Sequence, residues 1–235
     1  MKPVVIFRHA AIEGPGYLAT FLDAHDIPWL LIKVDEGDAI PASISAFSGM
    51  ALMGGPMSVN DDLPWIGPVL ALIREAVAAD VPVLGHCLGG QLISKALGGV
   101  VMQNPIKEIG WGEVTVIPDV TALSWFGDME SFNGFHWHGE TFSLPEGASH
   151  LLASKHCQNQ AYAIGKHLAL QCHIEMTPEM VEIWCDVGAD EIRQSSASPA
   201  VQSAEVIMEN LPLHCFFLNK VANLVYRQWI KGLVN

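Results

Sequence analysis

Gly85-His86-Cys87-Leu88-Gly89-Gly90-Gln91 lies between an apolar run, Val81-Pro82-Val83-Leu84, and a helical-looking segment over residues 92–97. A cysteine set between glycines at a strand-to-helix junction predicts a nucleophile elbow, a sharp turn that exposes its side chain at the end of a strand. The amide of the next residue and the helix N-terminus favour a thiolate and an oxyanion there.

Upstream of the elbow, strand-like and helix-like segments alternate. Residues 3–7 are β-branched and apolar, as a buried parallel strand requires. Residues 14–25 read as a helix with Leu18, Phe21 and Leu22 on one face, and residues 29–34 as a second strand. Residues 47–53 form a third strand that ends in Gly54-Gly55-Pro56. Residues 64–79 show the 3.6 period at Ile66, Val69, Leu70, Ile73 and Val77. This alternation predicts an α/β, flavodoxin-like fold: a mostly parallel central sheet with helices on both faces. Ligands in such sheets bind outside the carboxyl ends of the strands, where Gly54-Gly55 and Cys87 both fall.

Downstream the texture changes. Residues 100–103, 113–117, 149–153, 161–164 and 168–172 are short, turn-bounded and strand-like, and predict a small antiparallel extension. Thr177-Pro178-Glu179 opens a helix with a good N-cap and proline at the first position. Residues 195–203 are Ser/Ala-rich and read as a mobile loop. Residues 213–230 read as a closing helix, with Phe217, Val221, Leu224 and Val225 spaced for one face. The 235 residues suit a single domain, 1–235, with a core over about 1–190 and a C-terminal helical appendage over about 195–235.

Composition removes several function classes. With 25 acidic against 12 basic residues, the formal net charge is −13. Nucleic-acid binding and docking on anionic membranes both want the opposite sign. The five cysteines include no C-x-x-C pair, which fits a reducing, cytoplasmic setting better than a disulfide framework. The N-terminus reaches a charge too early for a signal peptide, and no apolar run approaches the ~20 residues of a membrane span.

A cysteine nucleophile needs a base, and the base needs an orienting group. His173 and Glu175 offer both at i, i+2, which on a strand places them on one face ~6.6 Å apart. With these residues in view, the chain resembles the class I, triad-type glutamine amidotransferases. Gly-x-Cys-x-Gly-x-Gln at 85–91 resembles their nucleophile signature, Gln171-Cys172-His173-Ile174-Glu175 their second signature, and Gly54-Gly55-Pro56 their oxyanion loop. Phe135-His136-Trp137-His138-Gly139-Glu140 is similar to a His-Gly element in the branch that includes the amidotransferase domain of GMP synthase. Cys172 and Ile174 depart from the usual aromatic and proline without touching the triad.

The resemblance implies that Cys87 attacks the glutamine carboxamide, His173 serves as base and then acid, and Glu175 orients His173. The amides of Gly55 and Leu88 would form the oxyanion hole. Gly54, Gln91 and the stretch Asn159-Gln160-Ala161-Tyr162 would contact substrate. The substrate would be L-glutamine or a γ-glutamyl amide, no cofactor is expected, and any ammonia acceptor would sit on a separate synthetase. A hydrolase of γ-glutamyl conjugates is the alternative within the same chemistry, and a non-catalytic regulatory subunit is the alternative of another class. An ester or lactone hydrolase would want the order Cys…Asp…His, which the chain lacks. His136-x-His138 could pair on a metal with His150, His156 or Cys157 completing the set. The resemblance instead makes 136–140 a loop beside the glutamine pocket, with no metal.

Overall fold

Strand β1 (Val4–Arg8) serves two cores at once: Val4 and Ile6 enter one, Val5 and Phe7 the other. The two-residue period of a strand allows this only where both faces of the sheet are covered. The computed structural model describes residues 1–234. After β1 come α1 (Tyr17–Ala24), β2 (Trp29–Lys33), β3 (Gly49–Leu52), α2 (Ile66–Ala78), β4 (Val83–His86) and α3 (Leu88–Ala96). β1 pairs in parallel with β2 and β3, and β3 with β4.

The chain continues through β5 (Val101–Val116), α4 (Val120–Phe126), β6 (Ser131–Phe142), β7 (Ser149–Ser154), β8 (Ala161–Ile164) and β9 (His167–Leu170). It closes with α5 (Pro178–Val187), α6 (Ala189–Gln194), β10 (Ala200–Val201), α7 (Ala204–Met208) and α8 (Leu211–Trp229). The sheet order is β10-β5-β7-β8-β9-β4-β3-β1-β2, with β6 on β5. The fold is thus a mixed α/β sheet with a parallel half and helices on both faces. β9 matters most for the site: it inserts parallel beside β4, so the chain leaving Leu170 emerges next to the elbow.

Helices α2 and α3 cover one face, while α1, α4, α5 and α8 cover the other. In α2 the buried positions are Ile66, Val69, Leu72, Ile73 and Ala76, whereas Leu70 and Val77 are only partly covered. The stripe turns this way because α2 packs against α3 as well as against β4. Thr177 caps α5 as expected, its side chain accepting from the Met180 amide, with proline in the first turn. In α8, Phe217 and Leu224 face solvent, and the buried stripe runs through Cys215, Leu218, Val221, Ala222, Val225, Tyr226 and Trp229. Tyr226 and Trp229 are fully buried in the same core as β1 and α1.

Three expectations are corrected. The strands expected at 100–103 and 113–117 are two ends of one strand, β5, with a register shift between Gln103 and Glu108 where Pro105 interrupts the ladder. Residues 136–140 are not a loop but part of β6, paired along β5; Gly134 and Gly139 disguise the strand pattern. Residues 195–203 are tied down: β10 pairs with β5, the Ser198 hydroxyl donates to the Lys107 carbonyl at 2.7 Å, and Gln202 bonds the Trp111 amide and carbonyl. Polar side chains there satisfy the exposed edge of β5.

The glycines of the elbow are a packing requirement. A Cβ on Gly89 would collide with the Leu52 carbonyl, and one on Gly85 with the Gly89 backbone. Gly89→Ala is therefore expected to lower stability by about 3 kcal/mol, because strand backbone cannot move aside. Denaturant unfolding would read this, and a variant as stable as the wild type would refute the packing account.

Candidate active site

Cys87 sits at the junction of β4 and α3 with φ 51° and ψ −108°. L-residues seldom hold a positive φ, and such strain persists only where the surroundings enforce it. Here the Cys87 amide donates to the Leu170 carbonyl at 2.8 Å and its carbonyl accepts from the Gln91 amide at 3.0 Å. Leu88 is the first residue of α3, so its N–H is among those with no partner inside the helix, and the positive end of the helix lies at Cys87.

His173 and Glu175 come from the segment that follows β9. The strand ends at Leu170, so the two residues are not on a regular strand. A single bridge holds them, with the His173 amide donating to the Phe135 carbonyl at 2.8 Å. Glu175 Oε1 accepts directly from His173 Nδ1 at 2.6 Å, and both side chains are about 1% exposed. Trp184 packs edge-on to the imidazole, 4.9 Å between centroids. Behind Glu175, His86 Nε2 is 3.7 Å from Oε2 and 3.1 Å from the Tyr226 hydroxyl.

Electrostatics agree with a base and its orienter. Burial by itself would push His173 down, but the Glu175 charge and contact with Cys87 prevail and hold the ring's pKa well above its ordinary value. Burial would raise Glu175, yet the charges of His86 and His173 and the hydrogen bond from His173 bring it down to about 2. Burial lowers the pKa of His86, against the opposing pull of the Glu175 charge.

A cavity of about 730 Å³ opens above Cys87. The loops around 8–16 and 57–65 supply Glu13 and Met57 to its wall, β5 supplies Lys107, β6 supplies Trp137 to Glu140, and α6 supplies Asp190, Glu191 and Gln194. The Trp137 carbonyl lies 3.8 Å from Cys87 Sγ. The Trp137 indole donates to Glu191 Oε2 at 2.8 Å, and Lys107 pairs with the same carboxylate, so α6 is fastened over the cavity.

The structure brings Gly54, Gly55, Leu88 and Gln91 to this place. A Cβ on Gly54 would strike the Glu13 carboxylate and lie 3.2 Å from His173 Cε1, so the Gly54 backbone packs against the imidazole. Gly55 lines the cavity, and a Cβ there would come within 2.6 Å of the Leu88 side chain. Gln91 lines it too, with its amide donating to Gln171 Oε1 at 3.1 Å, while Gln171 Nε2 lies 3.5 Å from Cys87 Sγ. Asn159, Gln160, Ala161 and Tyr162 lie outside the cavity wall. Asn159 donates to the Phe142 carbonyl, Gln160 bonds Glu108 and Ser154, Ala161 is buried, and Tyr162 packs edge-on to Phe142. β8 is an interior strand between β7 and β9, so its side chains are consumed by the layers above and below.

Several residues at the site were not anticipated: Glu13, His86, Glu191 and the backbone of Trp137. His86 lies inside the elbow motif itself, but no spacing rule ties it to Glu175. His136 and His138 do meet a third polar group, though it is Glu108 rather than His150, His156 or Cys157. His150 bonds the Leu152 and Gln158 carbonyls, and Cys157 contacts Thr141.

Glu13 gives a pH-dependent test. It is half-buried, and burial pushes its carboxyl from 4.5 up to about 7, with Glu175 and Glu191 adding to the shift and His173 opposing it. The folded chain therefore binds this proton more tightly than the unfolded chain, so the Glu13 contribution to stability falls as pH rises from about 4.5 to about 7. Glu13→Gln removes this loss. The Tm difference, variant minus wild type, is expected to grow more positive across that window in thermal scans, and a difference independent of pH would contradict it.

Comparison with known proteins gives a consistent picture. The family model described as glutamine amidotransferase class-I matches residues 27–182. The crystal structure of a glutamine amido transferase from Methylobacillus flagellatus superposes with a TM-score of 0.98 at 48% identity, covering 100% of this chain and 96% of that one. The glutamine amidotransferase-like protein YfeJ of Salmonella typhimurium is 34% identical over 185 residues, 74% of this chain and 76% of its own length. Gamma-glutamyl peptidase 3 of Arabidopsis thaliana is 28% identical over 162 residues, 65% of each chain.

Proposed function

Because the chain belongs to the class I glutamine amidotransferase family, we propose that it is an amide hydrolase releasing ammonia from the glutamine side chain at Cys87. The observation that carries this reading is the strained elbow cysteine beside a buried histidine whose Nδ1 is hydrogen-bonded to a carboxylate and whose Nε2 has no hydrogen-bond partner. His173 takes the thiol proton as Cys87 Sγ attacks the carboxamide carbon. The tetrahedral oxyanion is met by the Gly55 and Leu88 amides; losing one such donor costs about 3 kcal/mol of barrier. Ammonia leaves with the proton from His173, and a glutamyl thioester remains on Cys87. Water, deprotonated by His173, then opens the thioester to glutamate and restores the thiol. Glu175 holds the imidazole in the tautomer that leaves Nε2 free for these transfers.

One observation favours a second reading, hydrolysis of a γ-glutamyl amide larger than glutamine. A cavity of about 730 Å³ is in the range that takes a drug-sized ligand rather than one amino acid. The same thioester would form, with a substituted amine leaving through the space bounded by Trp137 and α6. Glutamate release from glutamine and from a panel of γ-glutamyl amides tests both readings. Turnover of glutamine supports the first, and turnover of conjugates alone supports the second. No turnover on any of them, with Cys87 unreactive to a glutamine-analogue alkylator, would favour a regulatory subunit.

Among the described residues no helix is long and apolar enough to cross a membrane. The acceptor, where one exists, would be a separate synthetase that receives ammonia from this site.

A further inference from the structure

Glu108, His136 and His138 converge on one face of the β5–β6 ladder. Glu108 lies directly opposite His138, and His136, two residues away on β6, lies opposite Gly110, which has no side chain to interpose. Their ligand atoms all lie within 4.8 Å of one another, and the three residues are 5%, 2% and 4% exposed.

The hydrogen bonds fix which atoms point inward. His138 Nδ1 lies 3.0 Å from the Glu140 carbonyl, which can only accept, so Nδ1 carries the proton. His138 Nε2 lies 3.1 Å from Glu108 Oε2, and in the neutral ring it presents its lone pair there. His136 repeats the arrangement: Nε2 faces the Gly112 carbonyl at 3.4 Å, which turns the Nδ1 lone pair toward Gln160 and Glu108. Two imidazole lone pairs and a carboxylate thus face one another, each imidazole donating its other N–H to a backbone carbonyl. That is the outer-shell pattern of metal-binding histidines. Gln160 completes the picture. Its Nε2 donates to Glu108 Oε2 at 2.9 Å, and its Oε1 is buried without a partner. Rotating the amide presents that oxygen to the cluster. Glu108 and His136 also border a second cavity of about 520 Å³ away from Cys87, which gives solvent and ions a path to the cluster.

We propose that Glu108, His136 and His138 bind one divalent transition-metal ion of the zinc type, with the Gln160 amide oxygen or a water as fourth ligand. Two imidazoles, a carboxylate and one further ligand are a zinc donor set, whose bonds of about 2.0–2.2 Å require only small closing movements of these side chains. The ion pins β5 to β6 and so holds the strand whose Trp137 carbonyl lies over Cys87.

The test uses the full chain carrying Cys87→Ala, which removes the competing thiolate. After chelator treatment, Zn²⁺ is titrated calorimetrically and Co²⁺ is followed by visible absorption. The expected result is one equivalent of zinc, a Tm raised by zinc, and tetrahedral Co²⁺ bands without thiolate charge transfer. Adding Glu108→Gln or His136→Asn is expected to weaken zinc binding at least roughly 100-fold. Circular dichroism selects whichever of these variants is folded. Failure of the folded Cys87→Ala protein to take up zinc overturns the proposal and leaves Glu108 and His138 as an ion pair. Thiolate charge transfer with Co²⁺, or unweakened binding in the folded variant, overturns it as well. None of these readouts depends on turnover, so the outcome is separate from the amidase reading.

Discussion

Replacing Cys87 with alanine is expected to cut glutamate release by at least about 10⁴-fold, because every covalent step passes through its sulfur. The remaining donors at Gly55 and Leu88 and the bound substrate would leave only a small residual rate. Stability supplies an independent check on the same residue. Cys87 holds a φ of 51°, a conformation natural to glycine, which an L-residue adopts at a cost on the order of 1–3 kcal/mol. Cys87→Gly is therefore expected to be as inactive as Cys87→Ala, yet more stable than Cys87→Ala by about 1 kcal/mol in denaturant titrations. Substantial turnover by either variant would remove Cys87 as nucleophile. An alanine variant as stable as the glycine variant would mean that the elbow is not strained.

The second large effect is expected from Glu175→Gln. The carboxylate accepts from His173 Nδ1 at 2.6 Å in a site almost closed to solvent. A glutamine amide fits the same space but can turn its NH₂ toward Nδ1, which moves the imidazole proton to Nε2 and removes the base. The expected loss in kcat is on the order of 10³–10⁴-fold, with KM changed far less, since the residue lies outside the cavity wall. The substitution also reports on acid stability. The folded pKa of Glu175 is depressed from 4.5 to about 2, so its stabilising contribution is complete above about 4.5 and is lost as pH falls toward 2. The stability gap between wild type and variant should therefore narrow across that interval. A kcat close to wild type would show that Glu175 does not orient the base.

Glu175 also shows how far sequence reading reaches. Its pairing with His173 follows from two positions of separation, so it is local and legible. The hydrogen bond between them forms although the regular strand ends at Leu170. His86, 3.7 Å behind Glu175, lies 89 positions away in the chain and meets it only because β9 pairs with β4. Nothing in residues 85–91 announces that neighbour. The same holds for Trp137, which reaches Cys87 because the Phe135–His173 bridge ties β6 to the segment after β9.

The less legible segments have a similar origin. Asn159 to Tyr162 are polar and aromatic residues in a turn-bounded stretch, which suits a binding loop as well as the start of an interior strand. The pairing of β8 with both β7 and β9 buries Ala161 and Tyr162. Residues 131–142 carry glycines that weaken a strand pattern, yet along β5 those glycines make room: Gly134 packs close to Val114.

By itself the sequence determined the elbow, the two glycines that let α3 settle on β3 and β4, the alternation that makes the first half of the sheet parallel, and the local His173–Glu175 pair. These depend on turn chemistry and short-range periodicity, which a few adjacent residues specify. The tertiary structure alone decided which loops wall the cavity, that α6 closes over it through Glu191, and that Glu108 joins His136 and His138. Those contacts depend on strand order and register, and pairing energies spread over the whole sheet set them rather than any one segment.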